Sequence, residues 1–112
     1  MSVTENFLED IKKVVNAEEV ESVVIGEMGW GDYRKELVPL YNDQLKGKLL
    51  SWEEAEKWLN YEYDSGYGAP SCNAIYVWTK TRVLFVVQYE GSTWIEEVPR
   101  NPTNIMPRMP GG

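Results

Sequence analysis

The residues that could do chemistry concentrate in the stretch 61–73, which holds three tyrosines, two acids and two glycines before a proline. Tyrosine offers a rigid ring and a hydroxyl at low entropic cost, so this composition is typical of a loop that contacts a ligand or a partner. The two glycines do not form a phosphate-binding loop, because no Lys-Ser/Thr pair follows them and no strand-to-helix context surrounds them. The alternative is a plain crossing from a helix to a sheet.

The composition excludes several common kinds of catalytic and metal site. The sequence has no histidine and a single cysteine, Cys72. It therefore lacks a Ser-His-Asp or Cys-His arrangement, an imidazole base, and a thiolate zinc site. Glu96 and Glu97 are consecutive in a predicted strand and point to opposite faces, so they cannot act as a pair on one substrate. We expect a protein that is not an enzyme, with no cofactor and no metal. Cys72 is a small buried side chain or, as the second interpretation, a reactive thiol.

The formal net charge of −7 is unevenly distributed. From Pro99 onward there are two arginines and no acids, so this tail contributes +2 and leaves −9 on residues 1–98. An acidic body disfavours nucleic-acid binding, and it serves either solubility or encounter with a basic partner. With no apolar run long enough for a bilayer and no signal-peptide pattern, we expect a cytoplasmic protein that does not bind membranes.

Two amphipathic helices must carry part of the core. The first is predicted over residues 3–16, where Ser2 and Glu5 fit a capping box and apolar residues recur at helical spacing. The second is predicted over about 52–62, with Ser51 as its N-cap. Acids in its first turn suit the helix dipole.

The segment between the helices begins as a strand. Val20–Met28 is rich in β-branched residues and leads to Trp30, which two glycines bracket. Trp30 either packs on the core or is displayed at the rim of a pocket. Residues 32–49 give no clear pattern, since Pro39 interrupts both a helix and a strand there.

Three β-rich runs in residues 74–98 form the longest apolar part of the chain. They cover 75–79, 83–89 and 93–98. The middle run is apolar on both faces, which is typical of a central strand, and we expect Phe85 in the core. The last run alternates and carries charges, which is typical of an edge strand.

Together these elements predict a single α+β domain over residues 1–98 and an extended proline-rich tail over 99–112. The predicted order is α-β-α-β-β-β: an antiparallel β-meander of about four strands with two helices packed on one face. Four of the six prolines lie in the tail, which excludes a helix or an inner strand there. We expect Ile105 and Met106 to pin part of the tail to the domain.

Three strings carry a resemblance: SWEEA at 51–55, YEYDSGYG at 61–68, and Trp94 followed by VPRNP at 98–102. In these strings the chain resembles a family of small acidic phage and bacterial proteins without an assigned activity. The resemblance implies a viral accessory protein that acts in the host bacterial cytoplasm by binding a host or defence component. It assigns no residue a role.

The leading functional hypothesis is a non-enzymatic binding protein, for example an inhibitor, that meets a host protein with a basic surface. Aromatic anchors would supply affinity and acidic charge would speed encounter. Its candidate anchors lie in loops or on the last strand: Trp30, Tyr61, Tyr63, Asp64, Tyr67 and Trp94.

The alternative hypothesis is a protein that binds or sequesters a nucleotide-like signal. A base would stack on Tyr67, Tyr89 or Trp94. A phosphate would meet Arg82, or Arg100 beside Asn101. An exposed last strand could also pair across a two-fold axis and form a homodimer.

Overall fold

The computed structural model describes residues 4–28, 45–64 and 72–109. Within them the chain forms two helices and seven strands, and the predicted α+β class is confirmed. The elements, in chain order, are β1 (Thr4–Asn6), α1 (Phe7–Val15), β2 (Val20–Met28), β3 (Leu49–Leu50), α2 (Trp52–Leu59), β4 (Glu62–Asp64), β5 (Asn73–Thr79), β6 (Arg82–Tyr89) and β7 (Ser92–Pro99).

The strands form two antiparallel sheets. The larger has the order β3-β2-β5-β6-β7, and the smaller pairs β1 with β4. The four predicted strands correspond to β2, β5, β6 and β7, and β7 lies at an edge as expected. The predicted element order is incomplete, because it lacks β1, β3 and β4. These three strands have only two or three residues each, too few for a readable alternation.

Helix α1 starts later than the sequence predicts. Asn6 is the N-cap, and its side chain accepts a 2.9 Å hydrogen bond from the backbone N–H of Glu9. The predicted start at residue 3 is wrong because Thr4–Asn6 pairs as β1 with β4. The helix ends at Val15 and is capped by Asn16, whose φ of 53° is left-handed and whose N–H donates to the Lys12 carbonyl. Asparagine tolerates this conformation better than most residues.

Helix α2 starts where it was predicted to start. The Ser51 hydroxyl accepts a 3.1 Å hydrogen bond from the backbone N–H of Glu54, which confirms Ser51 as the N-cap. The helix ends at Leu59, before the predicted residue 62, because Glu62–Asp64 pairs with β1 instead. A partner distant in sequence therefore decides this boundary.

The hydrophobic core lies between the two helices and one face of the larger sheet. Register places Val23 opposite Val77, and Val77 opposite Leu84, so these side chains share a face. Both helices add fully buried side chains to the same cluster. The fully buried members from the helices and from this sheet face are Phe7, Ile11, Ala55, Leu59, Val23, Ile25, Val77 and Leu84.

Arg82 fastens α1 to the sheet. Its guanidinium donates to the Val14 and Val15 carbonyls at 2.8 and 2.7 Å, satisfying acceptors that the helix end leaves without an intrahelical partner. The same group pairs with Glu18 at 3.1 Å and with Glu97 at 2.9 Å. A cation at a helix C-terminus is also favoured by the helix dipole.

The tail is anchored by charge and not by its apolar residues. Ile105 and Met106 are 61% and 82% exposed, so the prediction that they pin the tail is wrong. Arg100 instead donates from its backbone N–H to the Thr81 carbonyl and from its guanidinium to the Thr79 carbonyl, both at 2.9 Å. Arg108 pairs with Glu96 at 2.8 Å.

The expected core position of Phe85 is also wrong. Leu84 is fully buried, whereas Phe85 points to the opposite face of β6 and is half-buried. Adjacent strand residues face opposite sides, so a strand apolar on both faces does not by itself say which face the helices cover.

Leu84→Ala and Phe85→Ala should therefore differ in cost. We expect Leu84→Ala to lower the free energy of unfolding by about 2–5 kcal/mol, as a fully buried truncation does. Phe85→Ala should cost about 1–2 kcal/mol, because part of its ring is already in water. Urea unfolding of both variants measures the difference. An equal or larger loss for Phe85→Ala would contradict the assignment of the two faces.

Candidate functional site

The face of the larger sheet opposite the helices is apolar. Register places Tyr76 opposite both Val24 and Phe85, and Trp78 opposite Val83. Continuing across β7, Val87 lies opposite Trp94, and Val83 opposite Val98. We call this surface the open face and define it by Val24, Tyr76, Trp78, Val83, Phe85, Val87, Tyr89, Trp94 and Val98.

These side chains remain partly accessible to solvent. Tyr76, Tyr89 and Val98 are 55%, 48% and 47% exposed, and the other members are half-buried. Tyr76 and Trp78 meet edge to face, with ring centroids 5.9 Å apart. A contiguous apolar surface with aromatic side chains is the composition that marks protein-binding sites, because it gains free energy when it is covered.

A shallow hollow lies within the open face. It has a volume of about 240 Å³ and is lined by side chains that include Val24, Tyr76 and Phe85. The hollow exists because two of its lining residues, Gly26 and Ala74, have small side chains. A Cβ added at Gly26 would occupy part of it, 3.5 Å from the Ala74 Cβ. The volume is below the 300–1,000 Å³ typical of small-molecule sites, so the hollow suits one apolar side chain of a partner.

Glu96 is a charged residue of this face, opposite Phe85 on the neighbouring strand. Burial would raise the pKa of its carboxyl group, but hydrogen bonds from Trp94 and Arg108 outweigh burial and lower the pKa. The Trp94 indole N–H donates to Glu96 at 3.2 Å, and Arg108 binds the same carboxylate. Glu96 therefore orients the indole and fastens the tail.

Two predicted anchors, Tyr61 and Tyr63, are buried, with 5% and 2% exposure. Their expected surface position is wrong. The Tyr61 hydroxyl donates to the Asn73 side chain and accepts from the Asn73 backbone N–H, both at 2.8 Å. The Tyr63 hydroxyl donates to Asp10 at 2.7 Å. Burial raises the pKa of both phenols well above the usual tyrosine value. The pairing of β4 with β1 places them against Phe7 of α1.

The other predicted site residues lie in different parts of the protein. Trp94 and Tyr89 lie on the open face. Asp64 is half-buried in β4, opposite Thr4 of β1. Arg100 and Asn101 are exposed after β7, and Trp30 and Tyr67 lie outside the described residues. Of the predicted residues that the structure describes, it therefore brings together Trp94 and Tyr89, on a surface that the sequence does not single out.

The two arginines expected to hold a phosphate are already bound to protein groups. Arg82 binds two carbonyls and two carboxylates around the end of α1. Arg100 binds the Thr79 carbonyl and the Glu21 carboxylate. An anionic ligand would have to displace these carboxylates, so the geometry does not favour a nucleotide-like ligand at either residue.

The sequence does not single out several open-face residues, because a middle run that is apolar on both faces predicts a strand buried on both sides. The spacing of Tyr76 and Trp78 is the part of the sequence that indicates this face. The two residues are two positions apart in a predicted strand, so their side chains share one face. Phe85 and Val87 repeat that spacing on the next strand. An aromatic pair at this spacing, next to a second apolar row, indicates a surface for binding whenever helices are too few to cover it.

Comparison with known proteins gives no relative. No protein-family model matches the sequence, and searches of curated proteins and of solved structures return no match. In the described ranges, neither helix is long and apolar enough to cross a membrane. Among the same residues, no group of three or more Cys, Asp or Glu side chains is arranged to hold a metal ion.

Cys72 should be unreactive in the folded protein. It is 2% exposed, and burial raises the pKa of its thiol to about 12. At pH 8 the thiol then stays protonated, and the thiolate is the nucleophile. We expect labelling by Ellman's reagent to be slow in buffer and fast in denaturant. Equal rates in the two conditions would contradict the buried assignment.

The link between the tail and Glu96 should weaken in acid. The folded-state pKa of Glu96 is lowered, so its stabilising contribution is complete above the unfolded-state pKa and is lost as the pH falls through the folded-state value. Arg108→Gln removes one of the groups that lower the pKa of Glu96. We expect an NMR titration to show a higher pKa for Glu96 in this variant than in the parent protein. An unchanged pKa would mean that Arg108 does not hold the carboxylate in solution.

Proposed function

We propose that this chain is a non-enzymatic binding protein whose open face docks onto an apolar patch of a partner protein. One observation carries the proposal: three aromatic side chains, Tyr76, Trp78 and Phe85, lie together on a sheet face that the helices leave accessible. Covering such a surface releases water from apolar area, which is the dominant favourable contribution to protein association.

The centre and the margin of the open face have different roles in this proposal. Tyr76 lines the hollow and its ring meets the Trp78 ring edge to face, so these two residues are the expected hot spots. The hollow receives one apolar side chain of the partner. Tyr89 and Val98 lie nearer the margin, where contacts exclude water but contribute less free energy.

Charge indicates what surrounds the partner's apolar patch. The body carries −9 over residues 1–98, so a partner with basic residues around its patch is attracted before contact. A second copy of this chain would bring the same negative charge to the interface. We therefore propose a basic partner of a different sequence and not a homodimer.

The resemblance to small phage and bacterial proteins makes a host or defence protein the first class of partner to test, in a bacterial cytoplasm. Inhibition would follow if the open face covered a surface that the partner needs for its own contacts. A nucleotide-like ligand is not our proposal, because Arg82 and Arg100 are bound to carboxylates.

The test uses Tyr76→Glu, which places a charge at the centre of the open face. A partner enriched from bacterial lysate by the parent protein is purified, and its dissociation constant is measured with the parent and the variant. We expect weakening of at least about 30-fold, because a central aromatic hot spot is replaced by a buried charge.

Met106→Glu is the matched control, since it replaces an exposed apolar residue of the tail with the same charge. Its affinity should stay within about twofold of the parent, as expected of a residue outside the interface. Thermal melts verify that both variants fold. Equal affinities for Tyr76→Glu and the parent would refute the open face as the binding surface. Light scattering of the protein alone should give a monomer mass, and a dimer mass lost in Tyr76→Glu would assign the face to self-association.

A further inference from the structure

The tail returns to the domain through one arginine. Residues 101–109 are exposed throughout, yet Arg108 within them binds the Glu96 carboxylate on β7. Its Nη2 donates to Oε1 at 2.8 Å, and its Nη1 lies 3.5 Å from Oε2. The guanidinium therefore faces both carboxylate oxygens, which is the geometry in which arginine recognises carboxylates.

Glu96 presents a carboxylate that needs a cation from outside the sheet. Its side chain is 14% exposed, and it accepts hydrogen bonds from the Trp94 indole N–H and the Glu97 backbone N–H. Both of those donors belong to β7 itself. Arg108 comes from the tail and supplies the opposite charge. A covered carboxylate without a cation is disfavoured, so Glu96 favours another guanidinium whenever Arg108 leaves.

Arg108 itself is easily displaced. Its side chain is 62% exposed, and an ion pair with one exposed partner contributes little, since solvent and salt screen it. The apolar side chains next to it do not reinforce the contact, because Ile105, Met106 and Met109 are exposed. An arginine from another molecule can therefore take the place of Arg108 without disturbing the core.

Glu96 lies where a partner on the open face would reach it. It stands opposite Phe85 of β6, and Phe85 stands opposite Tyr76 of β5 at the hollow. Two strand spacings separate Glu96 from Tyr76, which is about 10 Å. Glu96 and Arg108 also line a cavity of about 640 Å³ beside β7, which leaves room for an incoming side chain.

We propose that Glu96 binds an arginine of the partner that docks on the open face, and that Arg108 competes with this arginine from within the chain. The inference rests on the proposed function and adds what the partner carries at the margin of its apolar patch. Arginine suits the site better than lysine, because its fork meets both carboxylate oxygens. Arg100 fixes the start of the tail at the Thr79 carbonyl, so Arg108 stays near Glu96 at a high effective concentration.

A tetrapeptide tests the site without any partner. The probe has the sequence of residues 106–109 with blocked ends, and NMR follows the Trp94 indole N–H, which donates to Glu96. With Arg108→Gln we expect saturable shifts and a dissociation constant of about 1–10 mM, in keeping with a small ligand. The same peptide with citrulline in place of arginine should not saturate, and the peptide with lysine should bind several-fold more weakly.

The parent protein should bind this peptide about three- to fivefold more weakly than Arg108→Gln does, because its own Arg108 occupies Glu96. Lys80→Gln is the matched control for the change in net charge, since Lys80 is exposed in the turn between β5 and β6. Its affinity should stay within about 1.5-fold of the parent, because distant exposed charges are screened. Equal strengthening by the two variants would overturn the competition, since general charge would then explain both.

Glu96→Gln, added to Arg108→Gln, removes the charge and keeps an oxygen that can accept from the Trp94 indole. The peptide should then bind at least about tenfold more weakly, as expected when a charge-assisted hydrogen bond is lost. Glu90→Gln in the same background is the control, since Glu90 is exposed in the turn of the same hairpin. It should leave the affinity within about twofold. Equal weakening by the two glutamate changes, or no saturation in Arg108→Gln, would overturn the site.

The purified partner separates this inference from the proposed function. Single Glu96→Gln should weaken the partner about tenfold, and Arg108→Gln should strengthen it about three- to fivefold. If Tyr76→Glu weakens the partner and Glu96→Gln does not, this inference fails and the open face stands. If the peptide binds as expected and Tyr76→Glu leaves the partner unaffected, the open face fails, and the partner's arginine with it. A dimer of the parent that dissociates in Arg108→Gln would assign Glu96 to the tail of a second copy and overturn the assignment to a partner.

Discussion

Two short helices cannot cover both faces of a five-stranded sheet, and the rest of the described structure follows from this constraint. Helices α1 and α2 have nine and eight residues, and both pack into one cluster with Val23, Val77 and Leu84. The opposite face nevertheless carries Tyr76, Trp78 and Phe85. In most antiparallel sheets with one solvated face, polar residues stand at such positions. An apolar row on the side away from the helices is costly in water unless another surface covers it. The binding function that we propose would supply a physical reason to retain it.

The polar groups of this protein serve mainly to hold elements in place. Arg82 satisfies the last carbonyls of α1 and connects them to β7 through Glu97. Tyr61 and Asn73 form a buried polar pair that reaches the Gly26 carbonyl of β2. These groups are bound to one another, so they are not available for a ligand. Among the residues that the structure describes, the side chains that keep apolar surface accessible are therefore the informative ones for binding, and they include the aromatic side chains of the open face.

The open face lies on the side of the larger sheet away from the helices. It is apolar and shallow, which suits the broad, flat contact between proteins. Trp94 belongs to this face, and Glu96 fixes its indole while binding Arg108 of the tail. The edge strand β7 therefore connects the open face and the tail through one ion-paired carboxylate.

The sequence by itself determined the features that depend on neighbours along the chain. Ser51 as N-cap, the existence of both helices, the strands β2, β5, β6 and β7, and the edge position of β7 all follow from local periodicity, capping and charge. Tertiary structure alone decided what depends on distant partners. The pairing of β1 with β4 moved the start of α1 to Phe7, shortened α2 and buried Tyr61 and Tyr63. The packing of the helices on the larger sheet decided that Leu84 and not Phe85 faces the helices. A strand that is apolar on both sides has no local feature that shows which side will be covered.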